Sequence, residues 1–314
     1  MNASAIDIYQ SYLDTSTRLV IGGQAEAYCR HVQLPFVFRT GGGVEVIETA
    51  QDLAADILRT HAWLQNQAVS DYHRIARTAR FLDADTIEGF HVTYALRGAF
   101  PVLDPYCSRA ILRRADGIWR VSYAEHELAD PLYPGRNAKA QHNIFSPNWT
   151  RAPSPIAHDH CEALDIYTAR ITSFAEAASA ADFDAWLAHY TVPHSVHYDL
   201  ADVHVASAEK AREFFDMLQA TIRRCGADRF EVRPLSAIYL SDNRILGYHD
   251  ALLTRDGETK FGPVKSRMVM TNDTGPWRCL SVANALSTIA YQEGSFEPSQ
   301  DFPTMREIEK RMKK

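Results

Sequence analysis

The sequence predicts an α+β protein that consists of two copies of one domain. A shift of 158 positions, without a gap, places residues 5–128 on residues 163–286. In each copy, segments with helical periodicity come first and short alternating segments follow, which predicts three helices and then an antiparallel sheet. The period is far longer than that of a solenoid repeat, so each copy is expected to be a whole domain.

Short motifs recur at matching positions of the two copies. Their spacing from one another is the same in both, which is difficult to obtain by chance over this length. The matches are Asp7-Ile8-Tyr9 on Asp165-Ile166-Tyr167, Gly89-Phe90-His91 on Gly247-Tyr248-His249, and Gly117-x-Trp119 on Gly275-x-Trp277.

Copy one opens with helical sequence over residues 5–20, where apolar side chains recur at near-helical spacing. A second short helix, around 24–33, ends before Pro35 because proline cannot continue a helix. Thr49 is the predicted N-cap of a third helix that runs to about residue 66. The extended segments are Phe36–Arg39, 44–48, Tyr72–Leu82, Ile87–Leu96, Cys107–Leu112 and Trp119–Leu128.

Copy two repeats this plan. Its helices are predicted near 163–178 and 182–191, with a third that begins near Ser207, and its strands at 230–240, 245–254, 264–271 and 277–286. The proline-rich segment between the copies reads as an irregular linker. The predicted division is therefore a first domain at 1–130, a linker at 131–160, a second domain at 161–292 and a C-terminal tail at 293–314.

Charge and composition exclude several classes of partner. The net charge is −6 and the pI is about 6.1, whereas nucleic acids and anionic membranes are bound by clustered Lys and Arg. No apolar stretch approaches the ~20 residues of a membrane span. The N-terminus lacks the features of a signal peptide, and the five scattered cysteines contain no CxxC pair. We therefore expect a cytoplasmic protein with free thiols and neither a nucleic-acid nor a membrane partner.

No motif for a nucleotide, a flavin or a zinc ion is present, so we expect no cofactor. The segment His158-Asp159-His160-Cys161 contains ligand-type side chains. Adjacent residues cannot all face one ion without strain, and no partner pair follows at finger spacing. We assign no metal to it.

The element order and the Gly-x-Trp motif before the last strand resemble the NTF2-like superfamily, in its SnoaL-like and scytalone dehydratase-like branches. Leu246-Gly247-Tyr248-His249 and Asp182-Phe183 resemble the dehydratase most closely. The resemblance implies a cone-shaped domain, in which three helices and a curved sheet enclose an apolar pocket. Because such domains commonly pair as dimers, it also implies that the two copies form an intramolecular pseudo-dimer; further homo-oligomerisation stays open.

The resemblance also implies where catalytic groups would lie. The family has a catalytic histidine at the start of the third strand, where copy one has His73 and copy two has Glu231. Its eliminating enzymes carry an aspartate near the end of helix one that orients this histidine. The present chain has Val20-Ile21 and Ala178-Ser179 at those places.

Strand alternation then sorts the candidate residues by face. In copy two, Ser195, His197, Asp199, His249 and Ser266 are expected to face the pocket, with Glu231 beside them. His197, Asp199, Glu231 and His249 are candidate catalytic groups for acid–base chemistry, or alternatively ligands of a divalent metal. In copy one the expected set is Arg39, His73, His91, Thr93 and Ser108.

The roles expected in copy one are those of base and electrophile for His73 and His91, and of an anion-binding group for Arg39. Ser108 and Ser266 are predicted to contact substrate. A second interpretation of His91 and His249 remains open: their presence in both copies favours a structural role, in the core or facing the partner sheet.

Three functions are compatible with these residues. The first is a cofactor-independent lyase or isomerase that moves protons on a small, apolar molecule held in the pocket. The second is a binding protein for such a molecule without turnover, which the missing helix-one aspartate favours. The third is a scaffold whose pockets are filled by side chains.

Overall fold

A computed structural model describes residues 3–41, 43–128, 160–198 and 202–286. The chain divides into two compact units: unit 1 is Met1–Arg97 with Pro101–Ala157, and unit 2 is Gly98–Phe100 with His158–Lys314. The predicted tail at 293–314 lies outside the described residues, as does the predicted linker up to residue 159.

Unit 1 has three helices and a six-stranded sheet in its described part. The strand order is β2-β1-β6-β5-β4-β3, with β1 parallel to β6 and antiparallel pairing of β1 with β2, β3 with β4 and β5 with β6. The elements are α1 Ala5–Ile21, α2 Ala25–Cys29, β1 Val32–Thr40, β2 Gly43–Ile47, α3 Ala50–Asn66, β3 Asp71–Asp83, β4 Thr86–Arg97, β5 Phe100–Ala115 and β6 Ile118–His126.

The described part of unit 2 has the same order of elements and the equivalent sheet, β8-β7-β12-β11-β10-β9. The predicted α+β class, with three helices and a sheet in each half, is confirmed. The elements are α4 His160–Ser179, α5 Phe183–Leu187, β7 Tyr190–His197, β8 Asp202–Val205, α6 Ala208–Arg224, β9 Arg229–Ser241, β10 Arg244–Arg255, β11 Glu258–Thr271 and β12 Arg278–Asn284.

Side-chain caps fix where the helices begin. The predicted N-cap Thr49 accepts a hydrogen bond from the backbone N–H of Asp52, and Ser207 accepts one from Lys210. Each bond satisfies one of the N–H groups that a helix start leaves without an intrahelical partner. The sequence therefore placed the starts of α3 and α6 correctly.

The strand that follows β4 was predicted too short. β5 begins at Phe100 and not at Cys107. Pro101 and Pro105 lie in its first half, and proline removes a donor from a strand ladder, so the sequence pattern signals a break there. The backbone nevertheless continues as one strand through both prolines.

The first helix of each unit presses a tyrosine ring against the sheet. Tyr9 and Tyr167 are both fully buried. The ring of Tyr9 lies so close to the backbone of Gly89 that a Cβ there would overlap it, and Tyr167 has the same relation to Gly247. Only glycine permits this approach, which explains why both tyrosines and both glycines recur in the repeat.

We expect Gly89→Ala and Gly247→Ala to destabilise their units by about 1–3 kcal/mol, because the added methyl group overpacks the contact with the tyrosine ring. Urea unfolding measures the loss of unfolding free energy. The double variant Gly247→Ala/Tyr167→Leu is the control, because removing the ring removes the collision. Additive losses in this pair would contradict the proposed contact.

Candidate functional site

Unit 2 contains an apolar cavity of about 150 Å³ between its helices and the inner face of its sheet. Aromatic rings form one wall, in which Trp186 and Tyr190 lie 4.7 Å apart between ring centroids. Four polar side chains reach the cavity from β7, β10, β11 and β12, namely His194, His249, Ser266 and Asn284. The larger apolar residues around it are Phe174, Trp186, Phe214, Phe230, Phe261 and Met268.

A buried hydrogen bond from α4 holds His249. Tyr167 Oη lies 2.6 Å from His249 Nδ1. Burial lowers the pKa of His249 to about 4 and raises that of Tyr167 well above its ordinary value. Both groups are therefore neutral at pH 7, and the bond fixes the imidazole plane without charging it.

The tautomer of His249 follows from satisfying the tyrosine hydroxyl. If the ring donated through Nδ1, the buried O–H of Tyr167 would need another acceptor. If Tyr167 donates to Nδ1, one bond satisfies both groups and the ring proton lies on Nε2. His249 then offers a neutral N–H donor to a molecule in the cavity.

Three further polar side chains of this cavity bond to their neighbours, whereas the buried Trp186 Nε1 has no partner among the described residues. Ser266 Oγ donates to Asn284 Oδ1 at 2.8 Å. His194 Nδ1 lies 2.8 Å from the carbonyl oxygen of Thr191 and therefore donates to it, which leaves Nε2 as an acceptor. Burial lowers the pKa of His194, and the bond to Thr191 partly offsets this. The lining contains hydrogen-bonding groups of both kinds but no carboxylate.

Unit 1 has a smaller and more polar cavity, of about 60 Å³. Tyr9 Oη lies 2.7 Å from His91 Nδ1, which repeats the bond of unit 2. Four tyrosines and a cation are among the residues around it: Tyr12, Tyr28, Tyr72, Tyr106 and Arg74. Thr93 and His126 also line it, and Asp56 is its one carboxylate.

Several predicted site residues do lie at these cavities. His249 and Ser266 line that of unit 2, and His91 and Thr93 line that of unit 1. Ser108 is fully buried next to it, with its Oγ 2.7 Å from Nδ1 of the lining residue His126. His91 and His249 are thus both held by the core and exposed to a cavity, which combines the two interpretations that the sequence left open.

The predicted facing of Ser195 and His197 is wrong. The residues of β7 and its end that line the cavity are His194, Val196 and Tyr198, so the alternate positions point to the opposite face. There His197 Nδ1 lies 2.8 Å from Asp202 Oδ1, and His197 Nε2 lies 3.0 Å from Ser195 Oγ. Asp199 lies outside the described residues.

The prediction that Glu231 faces the cavity is also wrong, because its strand too was assigned to the wrong face. Its neighbour Phe230 lines the cavity. Glu231 instead accepts a hydrogen bond from Thr254 Oγ1 at 2.7 Å. Successive side chains of a strand point to opposite faces of the sheet. An assignment that is wrong by one residue therefore places every side chain on the wrong face.

Two residues of unit 1 need the same correction. His73 lies between the lining residues Tyr72 and Arg74, and its Nε2 is 3.5 Å from Asp71 Oδ1 on the other face. Arg39 lies beside Tyr123, whereas Phe36 and Phe38 of the same strand reach the cavity. The cation of this cavity is Arg74, which the sequence analysis did not select.

Tyr9 and Tyr167 are site residues that were not predicted from the sequence. A usable signal existed, because each tyrosine and its histidine recur together in both copies with a spacing of 82 residues. Periodicity alone assigns a tyrosine at such a helix position to the core. Only the packing of helix on sheet shows that its hydroxyl meets a cavity histidine.

The described residues contain neither a metal-binding cluster nor a membrane-spanning helix. No group of three His, Cys, Asp or Glu side chains in that part of the chain is arranged to hold a metal ion. None of its helices is long and apolar enough to span a membrane. The side chains of His158-Asp159-His160-Cys161 lie outside the described residues.

Solved structures similar to part of this chain include NTF2-like and ketosteroid isomerase-like proteins. An NTF2-like protein of unknown function from Shewanella oneidensis is 13% identical over 38% of this chain and 96% of its own, with a TM-score of 0.30. An NTF2-like protein with a cystatin-like fold from Novosphingobium aromaticivorans is 18% identical over 40% and 82%, with a TM-score of 0.32. A ketosteroid isomerase-like protein from Erwinia carotovora is 12% identical over 39% and 95%, with a TM-score of 0.30.

No protein-family model and no curated protein matches the sequence. The similarities above concern fold and not reaction, at identities of 12–18%. The function of each cavity is therefore inferred from the residues that line it.

The buried, neutral His249 makes the stability of unit 2 depend on pH. Its pKa is about 4 in the folded state against an ordinary 6.5, so between these values only the unfolded chain binds the proton. Stability is therefore lost as the pH falls from 6.5 to 4. The stability advantage of wild type over His249→Gln should shrink by about 3 kcal/mol from pH 7 to pH 4.

Urea unfolding at several pH values measures this difference, in which the contributions of the other histidines cancel. A titration of the His249 ring by NMR gives its pKa directly. A constant difference between the two proteins across this range would show that His249 titrates normally.

Proposed function

We propose that unit 2 binds a small, largely apolar molecule that carries one hydrogen-bonding oxygen. The observation that carries this proposal is an apolar cavity of about 150 Å³ with a neutral, oriented histidine in its wall. An apolar cavity of about this volume is large enough for benzene in another protein. The molecule's apolar body would lie against the aromatic wall, and its oxygen would accept from His249 Nε2.

The cavity supports binding over the scaffold hypothesis. One water needs roughly 10–15 Å³ of such space, so side chains do not fill this interior. Its lining is aromatic and aliphatic apart from a few polar groups, the usual composition of a small-molecule site. A ring-sized ligand would bury its surface there without leaving these polar groups unpaired.

Binding is also favoured over proton-transfer catalysis. A general base is most effective when its pKa lies near the working pH. The pKa of His249 is about 4, because burial opposes its charge and no lining carboxylate compensates. Cofactor-independent lyase or isomerase chemistry is the second candidate, supported by the Tyr167–His249 bond that orients the ring.

The pair p-cresol and p-xylene tests the binding proposal, since the two probes differ by a hydroxyl in place of a methyl group. Wild type should bind both. The double variant Tyr167→Phe/His249→Phe should bind p-cresol about fivefold more weakly relative to p-xylene, because it loses one hydrogen bond of about 1 kcal/mol. Isothermal titration measures both constants.

The matched control is Tyr9→Phe/His91→Phe, the same two changes at the corresponding positions of unit 1. It should leave the p-cresol preference unchanged. Two results would overturn the proposal: binding of neither probe by wild type, or an unaltered preference for p-cresol in the unit 2 variant.

A separate experiment tests the catalytic candidate. If His249 moves protons, the intact protein should accelerate the exchange of the hydrogens α to the carbonyl of cyclohexanone in D₂O, and Tyr167→Phe/His249→Phe should not. NMR follows the loss of these proton signals. Exchange no faster than in buffer would remove this reaction as a candidate for cyclic ketones while leaving the binding proposal intact.

A further inference from the structure

The cavity of unit 1 has a cation in its wall that lacks a counter-ion among the described residues. Arg74 bonds only to neutral groups of α1: through Nε to Thr17 Oγ1 at 2.8 Å, and through Nη2 to Ser16 Oγ at 2.6 Å and Leu13 O at 3.1 Å. Its Nη1 has no partner in that part of the chain. A guanidinium stays charged in proteins, so this charge needs a partner.

Two further buried polar atoms at the same cavity have no partner within the described ranges. They are His91 Nε2 and Thr93 Oγ1, on residues that are 3% and 1% exposed. Buried polar groups are nearly always hydrogen-bonded, and each orphan costs about 1–3 kcal/mol. The cavity therefore offers three unsatisfied groups to whatever occupies it.

Arg74 can only donate, and the Thr93 hydroxyl can donate or accept. Tyr9 Oη donates to Gly89 O at 3.1 Å, so its one proton is used there, and His91 Nδ1, 2.7 Å from Oη, donates to the hydroxyl and leaves Nε2 as an acceptor. Burial, followed by the charges of Arg74 and His126, lowers the pKa of His91, which keeps the ring neutral. Arg74 and Thr93 therefore present donors to an occupant, and the positive charge of Arg74 favours an anion.

The one carboxylate in the wall does not fill this role. Asp56 Oδ1 accepts a hydrogen bond from Arg59 Nη2 at 3.1 Å, so another cation already balances its charge. The corresponding positions of unit 2 provide a contrast, because Val232 stands where unit 1 has Arg74 and Ala251 stands where it has Thr93. The charge and the hydroxyl are thus particular to unit 1.

We propose that unit 1 binds a small carboxylate in this cavity, with Arg74 as its counter-ion and with Thr93 as a hydrogen-bond donor. The volume of about 60 Å³ corresponds to a few water molecules and suits an anion of about four or five non-hydrogen atoms. Acetate has this size and charge. The site is separate from the aromatic cavity of unit 2 and takes a ligand of different chemistry.

Isothermal titration of the full chain with acetate and acetamide, at pH 7 and constant low ionic strength, tests the proposal. The two probes have the same size and differ in charge. Acetate should bind about tenfold or more tightly than acetamide, because hydrogen bonds to a charged partner are the stronger kind. Equal affinities, or no acetate binding, would overturn the proposal.

Two variants test the residues. Arg74→Gln should weaken acetate binding about tenfold or more, and Thr93→Val about fivefold, with little effect on acetamide in either case. The control Arg113→Gln removes the same charge from an exposed position of unit 1 and should change nothing. Unchanged acetate binding by Thr93→Val would count against the site even if Arg74→Gln failed to fold.

The binding of p-cresol serves as an independent measure of unit 2 in each variant. It should be retained in Arg74→Gln and Thr93→Val. Failure of the acetate experiment would therefore leave the proposed function of unit 2 untouched, and the reverse also holds.

Discussion

In each unit, the approach of one tyrosine ring to one glycine sets the position of the first helix on the sheet. Tyr9 lies on Gly89 and Tyr167 on Gly247, where a side chain would collide with the ring. The hydroxyl then reaches the histidine two residues further along the same strand. Because the ring is fully buried, moving the helix would expose it and break a buried hydrogen bond at the same time.

The same contact supports two different cavities. Around the conserved tyrosine and histidine, unit 1 has Tyr72, Arg74 and Thr93, whereas the corresponding residues of unit 2 are Phe230, Val232 and Ala251. These exchanges replace hydroxyls and a charge by apolar groups. The cavity of unit 2 is therefore apolar, whereas that of unit 1 contains a charged donor. Both units nevertheless keep the same order of helices and strands in their described parts.

Burial decides the chemistry of both histidines. The pKa of His249 falls to about 4, and that of His91 is also lowered well below the ordinary range, because desolvation disfavours the charged ring. Neither ring is oriented by a carboxylate; each is bonded to a neutral tyrosine hydroxyl. A neutral ring in a cavity wall acts mainly as a hydrogen-bonding group, which is why binding is the function that we propose.

The sequence by itself determined the duplication, the α+β class and the starts of α3 and α6, because these depend on local pattern and on residues that recur at a fixed offset. It also selected His91, His249 and Ser266, which line the two cavities. Only the tertiary structure decided the faces of Ser195, His197, Glu231 and His73, since the period of a strand is two and a slip of one residue exchanges its faces. The contact of Tyr167 with His249, and the position of Arg74 at a cavity without a counter-ion among the described residues, required the packing of helix on sheet. Such contacts join residues far apart in the chain, and no local pattern encodes them.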